Sequence, residues 1–299
     1  MSTKKEKKSW QENEAPLGRW IGTAILALIL GAILGGLMAT IMNFIPLFDD
    51  GMILAPFKGL FFAMIPFACF FVASVLSIRW LCRTSLRSFF FGRDRKPDIK
   101  RALVAGLLML AGILLSEAPN YRHFSLDNNS VSIIAVNFIF CLLFVWIQTT
   151  TEEIFFRGFF LRAPYRNEVP ALPRGLLFAF ISSLFFMAAH LSNPEVTTLS
   201  FGADMILGAA SYFVVAFAMY ISNLLIGGME AGLVFHWVNN FYCFFLVRQK
   251  VSAVETPTIF VNNADAALGT TTFIQGVVMY LPPLIYLICV YRKRRAKTD

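Results

Sequence analysis

Residues 131–158 read VSIIAVNFIFCLLFVWIQTTTEEIFFRG. The stretch begins as an apolar run long enough to cross a bilayer, which takes about 20 residues. It ends in two adjacent glutamates, Glu152 and Glu153, followed by Arg157. Ionisable groups inside membrane-spanning segments are costly and by default mark a functional site. The stretch therefore predicts a transmembrane helix that carries chemistry.

The whole chain has the composition of a polytopic membrane protein. Of its 299 residues, 57% are hydrophobic and 15% are charged, whereas a soluble domain carries about 25% charged residues. We predict an all-α fold, a polytopic transmembrane helical bundle of about eight spans. The predicted spans cover residues 20–47, 52–78, 102–117, 131–151, 175–193, 203–226, 229–247 and 271–291.

The basic residues indicate the topology. The net charge is +8, and most Lys and Arg lie before the first span, in residues 79–101, in residues 157–174 and after the last span. Loops rich in Lys and Arg stay on the cytoplasmic side, so we expect both termini in the cytoplasm. Attraction to anionic lipids explains the basic balance, and we therefore expect membrane lipid as a partner and no nucleic acid.

Two further polar clusters lie in the apolar segments that follow. They are Phe186-x-x-x-His190 and His236-x-x-x-Asn240, and they hold two of the three histidines in the chain. Residues four apart share a helix face. Polar groups on three helices of an apolar bundle predict one convergent site, in the cytoplasmic half of the bilayer.

Taken singly, each cluster also has a structural explanation. Glu153 and Arg157 are spaced for an ion pair, His190 ends its span, and His236 with Asn240 suits hydrogen bonds between helices. Glu152 is rotated by about 100° from Glu153 on a helix. One glutamate can therefore pair with the arginine while the other faces the histidines.

The ordered set of motifs resembles one family. E-E-x-x-x-R at 152–157, F-x-x-x-H at 186–190 and H-x-x-x-N at 236–240 are similar to the motifs of the CPBP intramembrane proteases. That family includes the type II CAAX prenyl proteases and the bacterial Abi-type, bacteriocin-immunity-like proteins. The resemblance covers roughly residues 131–247, and the remaining spans resemble the family only in being hydrophobic.

The resemblance implies a role for each motif residue. Glu152 would activate the hydrolytic water with help from His190, and His236 and Asn240 would hold the water or stabilise the oxyanion. Glu153 would pair with Arg157 and brace the helix. Peptide hydrolysis needs a general base and donors aimed at the developing oxyanion, and these residue types supply both.

The motifs are compatible with two mechanisms, one that needs zinc and one that needs no cofactor. Glu152, His190 and His236 form a possible zinc ligand set with a fourth position open for water. The chain has no H-E-x-x-H, and it also lacks G-x-G-D and G-x-S-x-G, which argues against zincin-type, aspartyl and serine intramembrane proteases. We expect a glutamate-activated water with no obligatory cofactor, and zinc is the alternative.

These observations define the expected organisation. Residues 1–19 form a basic cytoplasmic leader, residues 20–291 one transmembrane bundle with its core catalytic region at 131–247, and residues 292–299 a basic cytoplasmic tail. The expected location is a prokaryotic plasma membrane, since no organelle-targeting pattern is seen at the N-terminus.

The predicted function is that of an intramembrane endopeptidase. Its substrate would be a membrane-associated peptide or lipidated protein, prenylated or a small peptide. The alternatives are a non-catalytic membrane scaffold or bacteriocin-immunity protein, and a proton-coupled transporter. Against the transporter, the sequence shows no clear repeat with paired broken helices.

Overall fold

The structure is a computed structural model that describes residues 16–46, 52, 55–92, 95–162, 172–264 and 269–296. Most of the predicted leader, residues 163–171 of the predicted basic loop at 157–174 and the last three residues of the tail lie outside these residues. The described part is mostly helical, as predicted. In chain order its helices are α1 (Leu17–Met42), α2 (Lys58–Trp80), α3 (Leu86–Phe91), α4 (Ile99–Glu117), α5 (Val131–Leu161), α6 (Leu172–Ala189), α7 (Pro194–Thr197), α8 (Ala203–Ile226), α9 (Glu230–Phe241) and α10 (Gly269–Arg295).

Six of the described helices are long and apolar enough to cross a membrane. They are α1, α5, α8 and α10, together with two spans that include a neighbouring turn. These two are Ala55–Trp80, which contains α2, and Ile99–His123, which contains α4. The other two predicted spans correspond to shorter helices: α6 ends at Ala189, and α9 continues through a π-helical turn, Tyr242–Leu246, and ends there. The count of eight spans and the cytoplasmic position of both termini stay predictions.

The chain after α6 explains why that helix ends early. The predicted span ran to residue 193, but Asn193 is extended, with φ −65° and ψ 143°. It precedes Pro194, and a residue before proline is driven away from the helical region. His190 therefore lies just beyond the end of a short helix rather than inside a long one.

A small sheet lies at the end of the bundle where α4 ends and α5 begins. Its strands are β1 (Phe124–Leu126), β2 (Val247–Gln249) and β3 (Phe260–Asn262), in the order β1-β3-β2. β1 is antiparallel and β2 parallel to β3. The sequence analysis did not predict these strands, because three-residue strands carry no periodic hydrophobic signal.

At the opposite end of the bundle, contacts of Arg95 hold the start of α9 in place. Gly227 ends α8 in the left-handed conformation at φ 89°, a common helix C-terminal cap. Arg95 donates to the carbonyl oxygen of Ile226 at 2.7 Å and pairs with Glu230 at 2.6 Å. The first residue of α9 is thereby held in place, two turns before His236.

Candidate active site

The structure brings three of the predicted site residues to one point. Glu152 lies on α5 and is 6% exposed. Its Oε2 atom is 3.4 Å from Nε2 of His236 on α9 and 4.0 Å from Nε2 of His190. This oxygen has no hydrogen-bond partner among the described residues. A buried carboxylate oxygen facing two imidazole nitrogens is suited to exchanging protons with a molecule placed between them.

His190 is held in one orientation. Its Nδ1 lies 2.7 Å from the carbonyl oxygen of Phe186, and because a carbonyl only accepts, Nδ1 carries the hydrogen. The ring stacks against Phe186 and Tyr212, with centroids 4.2 and 4.7 Å away. Nε2 is therefore the nitrogen presented to Glu152. Tyr212 was not among the predicted site residues.

Glu153 contacts His236 as well as its predicted partner, Arg157. Its Oε1 pairs with Arg157 Nη1 at 3.0 Å and also accepts a hydrogen bond from His236 Nδ1 at 2.9 Å. The adjacent glutamates thus face the two nitrogens of one imidazole. A carboxylate on Nδ1 fixes the tautomer of a histidine and stabilises its protonated form, so Glu153 is placed to do more than brace the helix.

Arg157 is fully buried between α5, α6 and α8. Its guanidinium lies 4.3 Å from the ring centroid of Phe186 and 3.6 Å from Met219 Sδ. Cations favour the face of an aromatic ring. Phe186, which the motif includes, therefore contacts both His190 and the arginine.

Asn240 reaches the site through a residue that the sequence analysis missed. Its Nδ2 donates to Gln148 Oε1 at 2.9 Å, and Gln148 Nε2 donates to Glu152 Oε1. Gln148 is buried, at 5% exposed. A signal was available, since Gln148 is a polar residue within a span, four residues before Glu152 and hence on the same helix face.

Two π-helical turns flank the polar part of α5. They cover Cys141–Val145 and Ile154–Gly158. Such turns are rare and occur frequently at functional sites. The second follows Glu153 directly and carries Arg157, so the side chains past it are rotated from their α-helical positions. The apolar pattern is the same for both helix types, and the sequence did not predict the π turns.

A glycine lets α9 approach α5. A Cβ atom on Gly232 would lie 2.6 Å from Asn223 Nδ2 and 2.8 Å from Glu153 Oε2, closer than real Cβ atoms come. The backbone N–H of Gly232 instead donates to Asn223 Oδ1 at 2.7 Å. The missing side chain therefore helps to place His236 beside Glu153.

An apolar cavity of about 570 Å³ leads to the site from the side of the bundle. α1, α2, α5 and α6 supply its walls, and Glu152 is the one ionisable residue among the described residues that line it. Its outer wall includes Leu17, Ile21 and Ile25, which are about half exposed on the bundle surface. The cavity thus joins the apolar surface of the bundle to the glutamate.

The zinc alternative finds partial support in the donor set. His190 and His236 each engage Nδ1 in a hydrogen bond and turn Nε2 toward Glu152 Oε2, and zinc-ligating histidines likewise hydrogen-bond through the ring nitrogen that does not bind the metal. However, the described residues contain no group of three His, Cys, Asp or Glu arranged to hold a metal ion.

The chain was compared with known proteins. The model of the Rce1-like family, described as type II CAAX prenyl endopeptidase Rce1-like, matches residues 131–242. The uncharacterized protein YyaK of Bacillus subtilis (strain 168) is 29% identical over 156 residues, which cover 52% of this chain and 49% of YyaK. The chain thus matches about half the length of that relative. No solved structure matches.

The family match contains all the predicted site residues. Glu152, His190, His236 and Asn240 lie within it, together with the Glu153–Arg157 pair. The family match and the ordered motifs thus fall in the same region of the chain, and this region is similar to the type II CAAX prenyl endopeptidases.

Proposed function

We propose that this protein is an intramembrane endopeptidase in which Glu152 activates a water molecule to hydrolyse a peptide bond. The observation that carries the proposal is the unpartnered Oε2 of Glu152, buried and faced by two imidazole nitrogens. The Rce1-like match supports the same class of reaction.

The first step is proton removal from water. The 4.0 Å between Glu152 Oε2 and His190 Nε2 is too long for a direct hydrogen bond, and a water beside both atoms can bond to each. Glu152 takes one proton as the water oxygen attacks the carbonyl carbon of the substrate. Holding the water against a fixed base removes much of the entropic part of the barrier.

The second step is the collapse of the tetrahedral intermediate. The oxyanion receives hydrogen bonds from His236 Nε2–H and from the Asn240 side-chain amide. His236 donates this bond when both of its ring nitrogens carry hydrogen, with Nδ1 held by the carboxylate of Glu153. Glu152 then returns its proton to the leaving nitrogen, and the C–N bond breaks. Donors that are fixed in advance in a dry site stabilise such charge strongly.

The cavity supports an apolar, membrane-associated substrate. A cavity of about 570 Å³ is within the size range of small-molecule pockets, about 300 to 1,000 Å³. Its aromatic lining, which includes Phe155, Phe159 and Phe185, suits a hydrocarbon chain or an apolar peptide segment. We propose a prenylated protein terminus or a small peptide as the substrate, cut in the cytoplasmic half of a prokaryotic plasma membrane.

The test compares wild type with Glu152→Gln in detergent, using a quenched-fluorescence library of prenylated and unprenylated peptides, with and without chelator. Losing a general base costs about 10²- to 10⁴-fold in rate, and we expect kcat to fall by that factor. Glu255→Gln, an exposed glutamate outside the site, is the matched control and should keep full activity.

The outcomes separate the alternatives. Activity that is lost in Glu152→Gln but resists the chelator supports the metal-independent mechanism. Loss with the chelator that zinc restores moves Glu152, His190 and His236 to metal ligands. If Glu152→Gln keeps full cellular function, the protein works as a scaffold or immunity protein and the protease proposal is wrong.

A further inference from the structure

Gln148 joins the two halves of the candidate active site. It lies one helical turn before Glu152 on α5, and its side chain bridges α5 and α9. One end donates to Glu152 Oε1, and the other accepts from Asn240 Nδ2 at 2.9 Å. Among the described residues, Gln148 thus connects Asn240 to Glu152 through two hydrogen bonds.

The direction of the hydrogen bonds is fixed by chemistry. An ionised carboxylate only accepts, so the NH₂ group of Gln148 faces Glu152 and its carbonyl oxygen faces Asn240. Asn240 must then present its own NH₂ group, and its carbonyl oxygen accepts from Asn239 Nδ2 at 3.0 Å. Three amides thus form one directional chain that ends on the glutamate.

We infer that Gln148 is a positioning residue that sets the orientation of both the base and the oxyanion donor; this inference rests on the proposed function. Its donor occupies Oε1 of Glu152, which leaves Oε2 for the water. Its acceptor takes one N–H of Asn240, which leaves the second N–H for the oxyanion. Gln148 acts through these two residues, because the bonds described above occupy both ends of its amide.

The first test is the isosteric apolar variant Gln148→Met, which fills a similar volume without hydrogen bonds. A hydrogen bond to a charged group is worth a factor of about 10 to 100 in rate, and we expect kcat to fall by that factor. KM should stay within about twofold of wild type, because Glu152 and Asn240 engage both ends of the Gln148 amide. A structural role alone would change the melting temperature and leave kcat unchanged.

The second test is Gln148→Glu, which gives a readout that packing would not produce. A protonated glutamic acid donates to Glu152 and accepts from Asn240, as the amide does. When it loses its proton, two carboxylates face each other and repel. The ratio of its kcat to that of wild type should therefore fall about tenfold or more between about pH 6 and about pH 9.

The two tests also separate this inference from the proposed function. If Glu152→Gln is inactive while Gln148→Met has wild-type kcat, or while the Gln148→Glu ratio does not change with pH, the inference is wrong and the proposed function stands. If Glu152→Gln is fully active, the proposed function itself is wrong. Should Gln148→Met fail to fold, the pH dependence of Gln148→Glu decides alone.

Discussion

Among the described residues, two clusters of acids and arginines differ in their balance of charge. At the end of the bundle, Asp98 and Glu230 meet three arginines. These arginines are Arg95, Arg101 and Arg294. In the candidate active site, Glu152 and Glu153 meet one arginine, Arg157, and two imidazoles. At the end of the bundle, arginines thus outnumber the acids. In the candidate active site the acids outnumber the arginines, and Glu152 has no arginine partner.

This difference in charge balance indicates which of the two clusters is a candidate functional site. Ionisable groups buried without an opposite charge cost several kcal/mol, so a fold keeps them only where they are needed. The cluster at the end of the bundle ties α4, α10 and the α8–α9 turn together. Both clusters hold a carboxylate oxygen without a hydrogen-bond partner, Oε2 of Glu230 in one and Oε2 of Glu152 in the other. The oxygen of Glu152 differs in facing two imidazole nitrogens instead of an arginine.

The largest expected effect is on the buried pair of the site. Arg157→Met leaves Glu153 buried without its cation, since both side chains are fully buried. Removing one partner of a buried ion pair costs about 3 to 5 kcal/mol, and the free energy of unfolding in detergent should fall by that amount. A loss below about 1 kcal/mol would mean that the pair behaves like one at the surface.

The double variant Glu153→Met, Arg157→Met is the control for that prediction. Replacing both ions with apolar residues of similar volume is often neutral or stabilising, so most of the lost stability should return. Cleavage should not return, because His236 Nδ1 then has no acceptor for its hydrogen. Recovered cleavage in the double variant would contradict the role of Glu153 in orienting His236.

A smaller effect is expected where α9 approaches the site. Gly232→Ala places a Cβ against Asn223 and Glu153, and overpacking of this kind costs about 1 to 3 kcal/mol. Because His236 and Asn240 follow on the same helix, kcat should fall as well, by up to about 100-fold for a shift near 1 Å.

Gly36→Ala is the matched control for the glycine. Gly36 lies on α1 and has no neighbouring atom within 4 Å of a built Cβ. An alanine there should be neutral or stabilising by about 0.5 to 1 kcal/mol. Equal losses in both variants would show that the close approach of α9 to α5 is unimportant.

The sequence predicts the long helices well and the details of the site less well. α1, α2, α4, α5, α8 and α10 follow from apolar runs, because backbone groups in a bilayer must be satisfied within a helix. The meeting of Glu152, His190 and His236 also follows, from the cost of polar groups in apolar spans. Their catalytic roles stay predictions until activity is measured.

What was not predicted depends on contacts between distant segments. Gln148 becomes a site residue because α9 brings Asn240 within hydrogen-bond distance, and the strands form because residues 124–126 meet residues 260–262. The π turns change the backbone hydrogen bonds from i→i+4 to i→i+5. The amino-acid composition does not indicate this change. The second glutamate was assigned to Arg157 alone, since spacing along one helix says nothing of a neighbour such as His236.

The smallest expected effect lies in the cluster at the end of the bundle. Arg294 pairs with Asp98 and donates to the carbonyl oxygen of Ile226 at 3.1 Å. Its side chain is 36% exposed, and Asp98 keeps a second partner in Arg101. Partly exposed pairs of this kind are worth about 0.2 to 1 kcal/mol, so Arg294→Gln should lower the free energy of unfolding by no more than that.

The salt dependence of this variant completes the comparison between the two clusters. Salt screens charges near the surface far more than buried ones, so the difference between Arg294→Gln and wild type should shrink as salt is raised. The loss in Arg157→Met should stay constant. Arg292→Gln, an exposed residue of the same helix end, should match wild type at all salt concentrations. A salt-independent loss at Arg294 would mean that the end of the bundle is as dry as the site, and charge balance alone would then distinguish the two clusters.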